Sequence, residues 1–382
     1  MIIYGEGGTG KSKVIQSVTR CFEDLNVRQW LIKCAYTGVA ASVMNGKTTH
    51  TVGNISQGRE KAQVSDKAKA KLQTAWKERR YMILDEYSMI SKPFLQILSQ
   101  NITIGVDGRA HSSADASFGA INVILCGDLH QFPLVAVGKR QALFYQNNPS
   151  ADTIQNQIGR EIYEEFTTVV VLNEQMRVTD TVWRGLLGRL RSGTVEDCDI
   201  DMLSGLVIGS QKSPATNFSE SPWAEAALVT PRHSVRTQWN SAVLRKHCRT
   251  TGNQLFICKA EDRVGNRALT LRKRYTLAKS SMKRDSKRYR ELPDEIKLAC
   301  GMKVMVTMNV ETDLDVTNGA RGEIVDIILI ILASDEPTVG DDAIVQLHFM
   351  PAYILVRLSC TQSSTLDGLA SGVIPVEPME SR

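Results

Sequence analysis

A glycine-rich segment with one lysine and one serine stands almost at the start of the chain. Residues 5–12 read GEGGTGKS and follow the apolar run MIIY. The spacing fits G-x-x-x-x-G-K-[ST], in which backbone N–H groups surround phosphates, the lysine reaches the terminal phosphates and the hydroxyl ligates Mg²⁺. The alternative is a glycine-rich turn before a surface lysine. The segment predicts a phosphate loop formed by Gly5, Gly7, Gly8, Thr9, Gly10, Lys11 and Ser12.

The elements on either side of this segment favour phosphate binding over the plain turn. MIIY reads as a short strand, residues 11–25 carry apolar side chains on one helical face, and WLIKCAY (30–36) reads as the next strand. A phosphate loop needs this position between a strand and a helix. The N-terminus of the helix adds its dipole and its free N–H groups to the binding of an anion.

Polar residues follow three further apolar strands. These strands are YMILDE (81–86), AINVILCGD (120–128) and TTVVVL (167–172), the last of which is followed by NEQMR. Apolar strands that alternate with helices predict a parallel sheet flanked by helices, and ligands bind beyond the carboxyl ends of such strands. We therefore expect four side chains at the edge that holds the phosphate loop: Asp85, Glu86, Asp128 and Arg177.

These residue types could split the β–γ phosphate bond of a nucleotide. Ser12 and Asp85 could supply oxygen ligands to Mg²⁺, and Glu86 could act as the base that polarises a water molecule. Arg177 could stabilise the charge that builds up on the leaving phosphates. The alternatives are that the acidic pair caps a helix and that Arg177 is a surface residue. Gln131 could sense the γ-phosphate or only cap a turn, and spacing alone leaves this open.

The composition limits the classes of protein to which the chain can belong. Its 382 residues suffice for two or three domains, each with a core. The formal net charge of +5 permits a polyanionic partner without requiring one. The eight cysteines include no C-x-x-C pair, which argues against a zinc site or a disulfide framework and for a reducing compartment. No apolar run reaches about eighteen residues, so we expect no membrane span.

The remaining segments leave several alternatives open. The lysine-rich stretch 54–80 reads as a solvated helix or as a small insertion beside a nucleic-acid channel, and the residues alone favour the former. A second unit is predicted from Thr179, with a strand at AALVTP (226–231) and a helix at 233–247. The basic stretch 272–290 could be a disordered loop, a nuclear-import signal or a phosphate-contacting arm. After Ala299, four short β-rich runs predict a small antiparallel barrel.

Several segments together resemble the superfamily 1B DNA helicases, and most of all the petite-integration-frequency (Pif) group. The segments that carry the resemblance come in that group's order: GEGGTGKS, TGVAASVMNGKTTHT (37–51), DEYSMI (85–90), CGDLHQFPLV (126–135) and LNEQMR (172–177). Residues 228–240 and 298–325 are similar to segments of the group's second domain. The run YILVRLS…LDGLASGVIPVEP is similar to the fungal, transposon-associated branch.

The resemblance implies the fold and the activity. The fold is a P-loop NTPase with a RecA-like motor domain at 1–178, which carries a wedge insertion at about 54–80. A partial second RecA-like domain at 179–320 and an SH3-like β-barrel insertion at 321–382 follow. The implied activity is ATP-driven 5′–3′ movement along single-stranded DNA and unwinding at duplex junctions, with ATP and Mg²⁺ as cofactors. We also expect a monomer in the nucleus, or alternatively in the mitochondrion, with roles in repair, recombination and telomere maintenance.

The resemblance also assigns residues. Lys11, Glu86, Gln131 and Arg177 fall on the family's catalytic positions, with Gln131 as the γ-phosphate sensor and Arg177 as the arginine finger. Gly10, Ser12 and Asp85 complete the nucleotide positions. The DNA-contacting segments map to Thr37, Gly38, Thr49, His50, Thr51, His130, His233 and Asn318. Hydroxyls and backbone amides suit phosphate contacts that carry no sequence preference.

Two departures from the family pattern bear on activity. The chain begins at the strand before the phosphate loop, without the residues that hold the adenine in such helicases. CTQSSTLDGL (360–369) lacks the glycine of the family's late motif, and no A-L-S-R segment with a second arginine follows. We therefore expect a truncated chain whose one-arginine site turns ATP over poorly. The alternatives are a DNA- and ATP-binding remnant without motor activity, or a small-molecule kinase, which would need neither CGDLHQFPLV nor a β-rich tail.

Overall fold

The computed structural model describes the chain in two units. It covers residues 1–55, 64–109, 112–113, 115–134, 138–210, 216–221, 223–260, 263–264, 267–281, 295–306, 320–330, 338–339, 344–347, 349–359 and 365–378. The described residues up to Trp223 form the first unit, and those from Ala224 onward form the second. Within these ranges, none of the helices has both the length and the apolar character needed to cross a bilayer.

A parallel sheet forms the centre of the first unit. Its strands are β1 (Ile2–Gly5), β2 (Leu31–Ala35), β3 (Lys47–Thr48), β4 (Tyr81–Asp85), β5 (Asn122–Gly127) and β6 (Val169–Leu172). They are arranged in the order β3–β2–β4–β5–β1–β6, and every neighbouring pair is parallel. The predicted α/β fold with a parallel sheet is confirmed, and all carboxyl ends of the strands lie along one edge.

Helices connect these strands. They are α1 (Lys11–Asp24), α2 (Gly38–Val43), α3 (Thr49–Val52), α4 (Asp66–Trp76), α5 (Lys92–Val106), α6 (Ile154–Glu164), α7 (Thr181–Ser192) and α8 (Asp197–Gly205). Side-chain caps fix where several of them begin, because Ser65, Ser91 and Thr153 each accept a hydrogen bond from the backbone N–H three residues later. Asp180 caps α7 by accepting from the N–H groups of Val182 and Trp183.

Alternate residues of the central strands pack into two separate apolar clusters. Met82 and Leu84 of β4 join one cluster, which includes residues of α4 and α5, whereas Ile83 joins the other, which includes Ile15 of α1. Side chains of a strand point alternately to its two faces. The inner strands are therefore covered on both faces, which explains why they read as continuous apolar runs, whereas the valines of the edge strand β6 are about half exposed.

The lysine-rich stretch forms a helix with one buried face. Leu72 and Trp76 of α4 are 1% and 0% exposed, and Trp76 Nε1 donates a hydrogen bond to the carbonyl oxygen of Val52 at 3.2 Å. Lys67, Lys69 and Lys71 remain exposed. The helix is therefore anchored to the first unit rather than fully solvated. Residues 56–63 of the predicted wedge insertion lie outside the described residues.

The second unit combines two helices with small sheets. Its helices are α9 (His233–Thr251) and α10 (Leu271–Ser281), and its strands are β7 (Leu255–Lys259), β8 (Arg263–Val264), β9 (Arg267–Ala268), β10 (Glu295–Leu298), β11 (Lys303–Met305), β12 (Arg321–Ile328), β13 (Thr338–Val339), β14 (Ile344–Leu347), β15 (Tyr353–Leu358) and β16 (Val373–Val376). One sheet has the order β10–β7–β14–β13, another the order β11–β12–β15–β16, and β8 pairs with β9. The helix predicted at 233–247 is confirmed.

The second unit differs from two predictions, the strand at 226–231 and the antiparallel barrel. AALVTP (226–231) is not a strand: Val229 is 94% exposed, and Pro231 has no N–H to donate to a sheet. The run around β14 pairs in parallel with β7 and so lies outside the antiparallel sheet β11–β12–β15–β16. The SH3-like barrel is therefore not confirmed, although the β-rich character of the region is as expected.

The first unit extends beyond the boundary predicted at 178. Helices α7 and α8 follow that boundary and belong to the first unit. The assignment of 1–178, 179–320 and 321–382 to separate functional domains stays a prediction. Residues 272–281 of the basic stretch fall in α10, and 282–290 lie outside the described residues.

The contact between α4 and α5 can be tested at Gly105. A Cβ atom at this position would lie 2.7 Å from Trp76 Cδ1, so Gly105→Ala should lower the free energy of unfolding by about 1–3 kcal/mol through overpacking. Gly188 in α7 is the matched control, because a Cβ there meets nothing within 4 Å. Gly188→Ala should be neutral or stabilising by up to about 1 kcal/mol. Urea unfolding followed by circular dichroism would contradict the packing if both variants were stabilised.

Candidate active site

Two glycines in the left-handed region shape the loop between β1 and α1. Gly8 has φ of +98° and Gly10 has φ of +93°, values that L side chains rarely adopt. Thr9 Oγ1 donates a hydrogen bond to the carbonyl oxygen of Glu6 at 2.9 Å and closes the turn from inside. The first turn of α1 carries no acidic residue, so its N–H groups and dipole favour an anion. The loop therefore has the geometry of a phosphate-binding loop.

The ammonium group of Lys11 lies inside this loop. Its Nζ donates hydrogen bonds to the carbonyl oxygens of Gly5 at 2.6 Å and Glu6 at 2.9 Å. Its charge opposes the rise in the pKa of Asp85 and of Glu86, so the lysine is within electrostatic reach of both carboxyls. The structure thus places the lysine and the acidic pair at the same edge of the sheet, although they lie more than seventy residues apart in sequence.

Burial perturbs both carboxyls at the end of β4. Burial raises the pKa of Asp85 above its ordinary value. The N–H of Glu86, which donates to Asp85 Oδ1 at 2.9 Å, and the positive charge of Lys11 oppose this rise. Burial also raises the pKa of Glu86, as do the negative charges of Asp85 and Asp128, and Lys11 again opposes the rise. Two partly buried carboxylates with raised pKa values would be stabilised by an added cation.

The backbone of Glu86 adopts the left-handed conformation, with φ of +58° and ψ of +41°. This conformation costs a non-glycine residue about 1 kcal/mol or more, and such strain concentrates at functional sites. It ends β4 sharply and starts the short 3₁₀ turn Tyr87–Met89. The ring of Tyr87 then packs against Gly127, where a Cβ would lie 2.8 Å from Tyr87 Cδ1. The conformation fixes the Glu86 side chain at the strand end.

The turn after β5 carries a buried ion pair. Asp128 is 1% exposed and accepts two hydrogen bonds from the guanidinium of Arg191, at 2.6 and 2.8 Å. Burial alone would raise the pKa of Asp128, but the hydrogen bonds from Arg191 and from the N–H of His130 outweigh it and hold the pKa below its usual range. Gln131 follows in the same turn, with its N–H bonded to the Asp128 carbonyl oxygen at 3.1 Å.

The side chain of Gln131 reaches the phosphate loop. Its Nε2 lies 3.1 Å from the position that a Cβ on Gly7 would occupy. Gln131 therefore lies beside the loop, and its role as γ-phosphate sensor stays a prediction. His130 Nδ1 hydrogen-bonds to the hydroxyl of Tyr4 at the end of β1, at 3.1 Å.

The segment after β6 holds the loop from the other side. Gln175 Nε2 donates to the carbonyl oxygen of Gly7 at 2.8 Å, and the N–H of Met176 donates to that of Gly8 at 2.9 Å. The N–H of Arg177 donates to Gln175 Oε1 at 3.0 Å. The Cβ of Arg177 lies 2.7 Å from the position that a Cβ on Gly8 would occupy. Arg177 is exposed at the loop, so its side chain is available to a ligand there.

The comparison with known proteins agrees with this geometry. Residues 1–182 match the family model of the PIF1-like helicases. Residues 1–182 form a PIF1-like helicase domain. A relative from Saccharomyces cerevisiae, the ATP-dependent DNA helicase RRM3, is 33% identical over 138 residues, which are 35% of this chain and 18% of that protein. The chain therefore spans less than a fifth of the length of this curated relative.

Solved structures share the fold. The crystal structure of Pif1 helicase from Candida albicans has a TM-score of 0.62 at 21% identity and covers 99% of this chain and 74% of its own. The Pif1 helicase from Bacteroides, crystallised with ADP-AlF3 and ssDNA, has a TM-score of 0.55 at 19% identity, over 98% of this chain and 74% of that one. At these identities the likeness establishes the fold of the chain.

The predicted DNA residues of the PIF1-like domain follow β2 and β3. The Thr37 hydroxyl accepts the N–H of Ala40 at 3.3 Å and caps α2, and Gly38 is buried behind it. Thr51 is exposed, and its hydroxyl hydrogen-bonds to that of Thr48 at 2.9 Å. These ends lie on the same edge of the sheet as the phosphate loop, but on the opposite side of β4.

Other residues predicted to contact DNA are buried, are packed against aromatic rings, or lie outside the described part of the first unit. Thr49 is fully buried, and its hydroxyl has no hydrogen-bond partner within the described residues, so its side chain does not reach the surface. The ring of His50 packs against Tyr36 and Phe94, at centroid distances of 5.4 and 4.9 Å. His233 is the first residue of α9 in the second unit. Asn318 lies outside the described residues.

Sequence reasoning missed three residues of this PIF1-like site. Tyr4, Gln175 and Arg191 all contact the loop or the turn after β5, yet none belongs to the residues expected there. Tyr4 and Gln175 adjoin the predicted strand ends, and that position was the available signal. Arg191 lies in a helix sixty-three residues after Asp128, and no local pattern pairs the two.

The strained backbone at Glu86 gives a test of the site. Because glycine adopts the left-handed region freely, Glu86→Gly should unfold with a free energy about 1 kcal/mol higher than Glu86→Ala. Glu78 is the matched control, since it is an exposed glutamate without a positive φ, and glycine there should be less stable than alanine. Urea unfolding would contradict the assigned conformation if alanine were preferred at both positions.

Proposed function

We propose that the chain is an ATP-dependent 5′–3′ DNA helicase that couples ATP hydrolysis to movement along single-stranded DNA and to duplex unwinding. One observation carries the proposal: four strand ends bring Lys11, the Asp85–Glu86 pair, Gln131 and Arg177 around one phosphate loop. The family of residues 1–182 and the name of the yeast relative support the same activity. Each residue has a role that hydrolysis requires.

The loop would bind the triphosphate through backbone N–H groups at the start of α1. Lys11 donates to two loop carbonyl oxygens, and the phosphate oxygens of a nucleotide would replace these weaker acceptors. Glu86 would accept the proton of the attacking water. Gln131 and Arg177 flank Gly7 and Gly8, where they would contact the γ-phosphate and the charge that develops on it.

Mg²⁺ suits the oxygen atoms at this site. Ser12 lies in the first turn of α1, and Asp85 offers a partly buried carboxylate. A bound cation would oppose the rise in the pKa of Asp85. These two residues would hold the ion. When bound, Mg²⁺ would neutralise charge on the β- and γ-phosphates. The raised pKa values of the acidic pair are the observation that favours a cation here.

The other half of the sheet edge would bind DNA. Thr37 and Thr51 are accessible at the ends of β2 and β3, next to the strand that ends in Asp85. The Bacteroides Pif1 structure contains ssDNA, and we propose single strands and duplex junctions as partners of this chain too, bound by a monomer. Nuclear or mitochondrial location and roles in repair, recombination and telomere maintenance follow from the family resemblance and belong to the same proposal.

A second candidate function is an ATP- and DNA-binding protein without motor activity. The altered late motif CTQSSTLDGL favours it. The intact Lys11, Asp85 and Glu86, brought together at one edge, favour hydrolysis instead. Both functions need the same binding surfaces, so only turnover and its response to DNA separate them.

The first test addresses nucleotide chemistry. Lys11→Ala should abolish binding of Mg-ATP, whereas Glu86→Gln should bind it like the parent and hydrolyse it at least about a hundredfold more slowly, since a base contributes 10²–10⁴ to such rates. Lys13→Ala is the matched control, because Lys13 is an exposed lysine of the same helix. Isothermal titration and a phosphate-release assay give the two readouts. Parental turnover by Glu86→Gln would remove this residue from its role as the base.

The second test addresses DNA. Affinity for a fluorescent oligo-dT strand should fall as salt rises, because phosphate contacts release counterions, with a slope of about −0.7 per contact in a log–log plot. The same strand should stimulate hydrolysis of ATP if the chain is a motor. Binding without stimulation would support the non-motor function. An affinity that does not change with salt, or no binding, would contradict DNA as the substrate.

A further inference from the structure

Arg191 contacts three elements of the site that the proposed function does not connect. Its Nη1 and Nη2 donate to the two carboxylate oxygens of Asp128, its Nη2 donates to the Tyr4 hydroxyl at 2.9 Å, and its Nε lies 3.1 Å from Glu6 Oε1. Tyr4 lies in β1, Glu6 belongs to the phosphate loop, and Asp128 begins the turn after β5. One guanidinium therefore joins both sides of the cleft between loop and turn.

We propose that Arg191 is a positioning residue that holds Gln131 against the phosphate loop and so lets the site distinguish a triphosphate from a diphosphate. The proposal rests on the proposed nucleotide chemistry and adds a residue to it. Asp128 receives the guanidinium and also accepts the N–H of His130, which fixes the turn that carries Gln131. Gln131 Nε2 reaches Gly7, the neighbour of Glu6. Arg191 thus holds both ends of the contact between Gln131 and the loop.

Charge gives a second reason for an arginine here. Glu6 and Asp128 place two carboxylates beside a loop built for phosphates, and their repulsion would oppose a polyanion. Arg191 pairs with both and offsets one of their two charges, whereas Asp85 and Glu86 stay available at the end of β4. Only a planar guanidinium can bind Asp128 through two parallel hydrogen bonds and still reach Tyr4 and Glu6. A lysine would keep the charge but not this geometry.

The helix that carries Arg191 is itself fixed. Two residues earlier, Arg189 forms two hydrogen bonds with Asp199 of α8, at 2.6 and 2.7 Å. Asp199 also accepts the N–H of Glu196 and completes the capping of α8. The last turn of α7 therefore presents one arginine to α8 and the other to the cleft. Arg189 has the same type of ion pair as Arg191 but makes it with α8 instead of with the phosphate loop, so it is a matched control.

The experiment measures the dissociation constants of ADP and of a non-hydrolysable β,γ-imido ATP analogue, both with Mg²⁺. The parent should prefer the triphosphate. In Arg191→Met the ratio of the two constants should fall at least about tenfold, and Arg191→Lys should give an intermediate value. Arg189→Met should keep the parental ratio even where it lowers the unfolding temperature. Gln131→Ala should lose the same preference, and adding Arg191→Met to it should cause little further loss.

A double variant separates positioning from stability. Arg191→Met leaves the buried Asp128 charge unpaired, which is destabilising, whereas Asp128→Asn with Arg191→Met removes that charge. The double variant should regain much of the lost unfolding temperature but not the preference for the triphosphate. Recovery of both together would reduce Arg191 to a structural role and overturn the inference.

The remaining outcomes separate this inference from the proposed function. A parent that prefers the triphosphate, together with an Arg191→Met variant that prefers it equally, overturns the inference and leaves the proposed function standing. A parent that binds both nucleotides with equal affinity also overturns it, because no preference exists for Arg191 to support. A parent that binds neither nucleotide overturns the proposed function and the inference with it.

Discussion

The structure depends on one electrostatic constraint: a parallel sheet gathers several carboxylates beside a loop whose backbone is shaped for anions. Asp85, Glu86, Asp128 and Glu6 all lie at this edge. Such a group of negative charges would be unfavourable without cations, because partial burial removes much of the screening by water. Lys11 and Arg191 supply the positive charge, each from a different helix. Helices α1 and α7 thus offset part of the negative charge at this edge of the sheet.

The two cations serve different carboxylates. Arg191 is committed to Asp128 and Glu6 through direct contacts, whereas Lys11 bonds to loop carbonyl oxygens and acts on Asp85 and Glu86 only at a distance. The pKa values follow this division, since that of Asp128 is held low and those of the acidic pair are raised. The carboxylate in the turn after β5 is therefore paired with a cation. The two carboxyls at the end of β4 have no such direct pair among the described residues, and the proposed metal ion would bind there.

The sequence predicts those parts of the fold that depend on local patterns. The apolar runs of β1, β4, β5 and β6 are long enough to be read as strands, and the rule for parallel sheets places their ends together, although β6 lies at the edge of the sheet and is half exposed. AALVTP has a similar composition, but it pairs with none of the strands in the described part of the chain, and Val229 is exposed, so the same rule fails there. Thr49 sits in a segment of polar residues, yet tertiary packing buries it completely. Arg191 pairs with residues sixty-three and 187 positions away, and such partners are decided only by the folded chain.

The strand order places the proposed DNA-binding half of the sheet edge directly beside the acidic pair. Ala35 of β2 is the register partner of Asp85, and Thr37 follows two residues later at the start of α2. On the other side of β4, β5 leads to the turn that Arg191 fixes. If Mg²⁺ binds at Asp85 as proposed, the change in charge there would act between these two neighbours. The backbone strain at Glu86 lies at the same point, directly after Asp85.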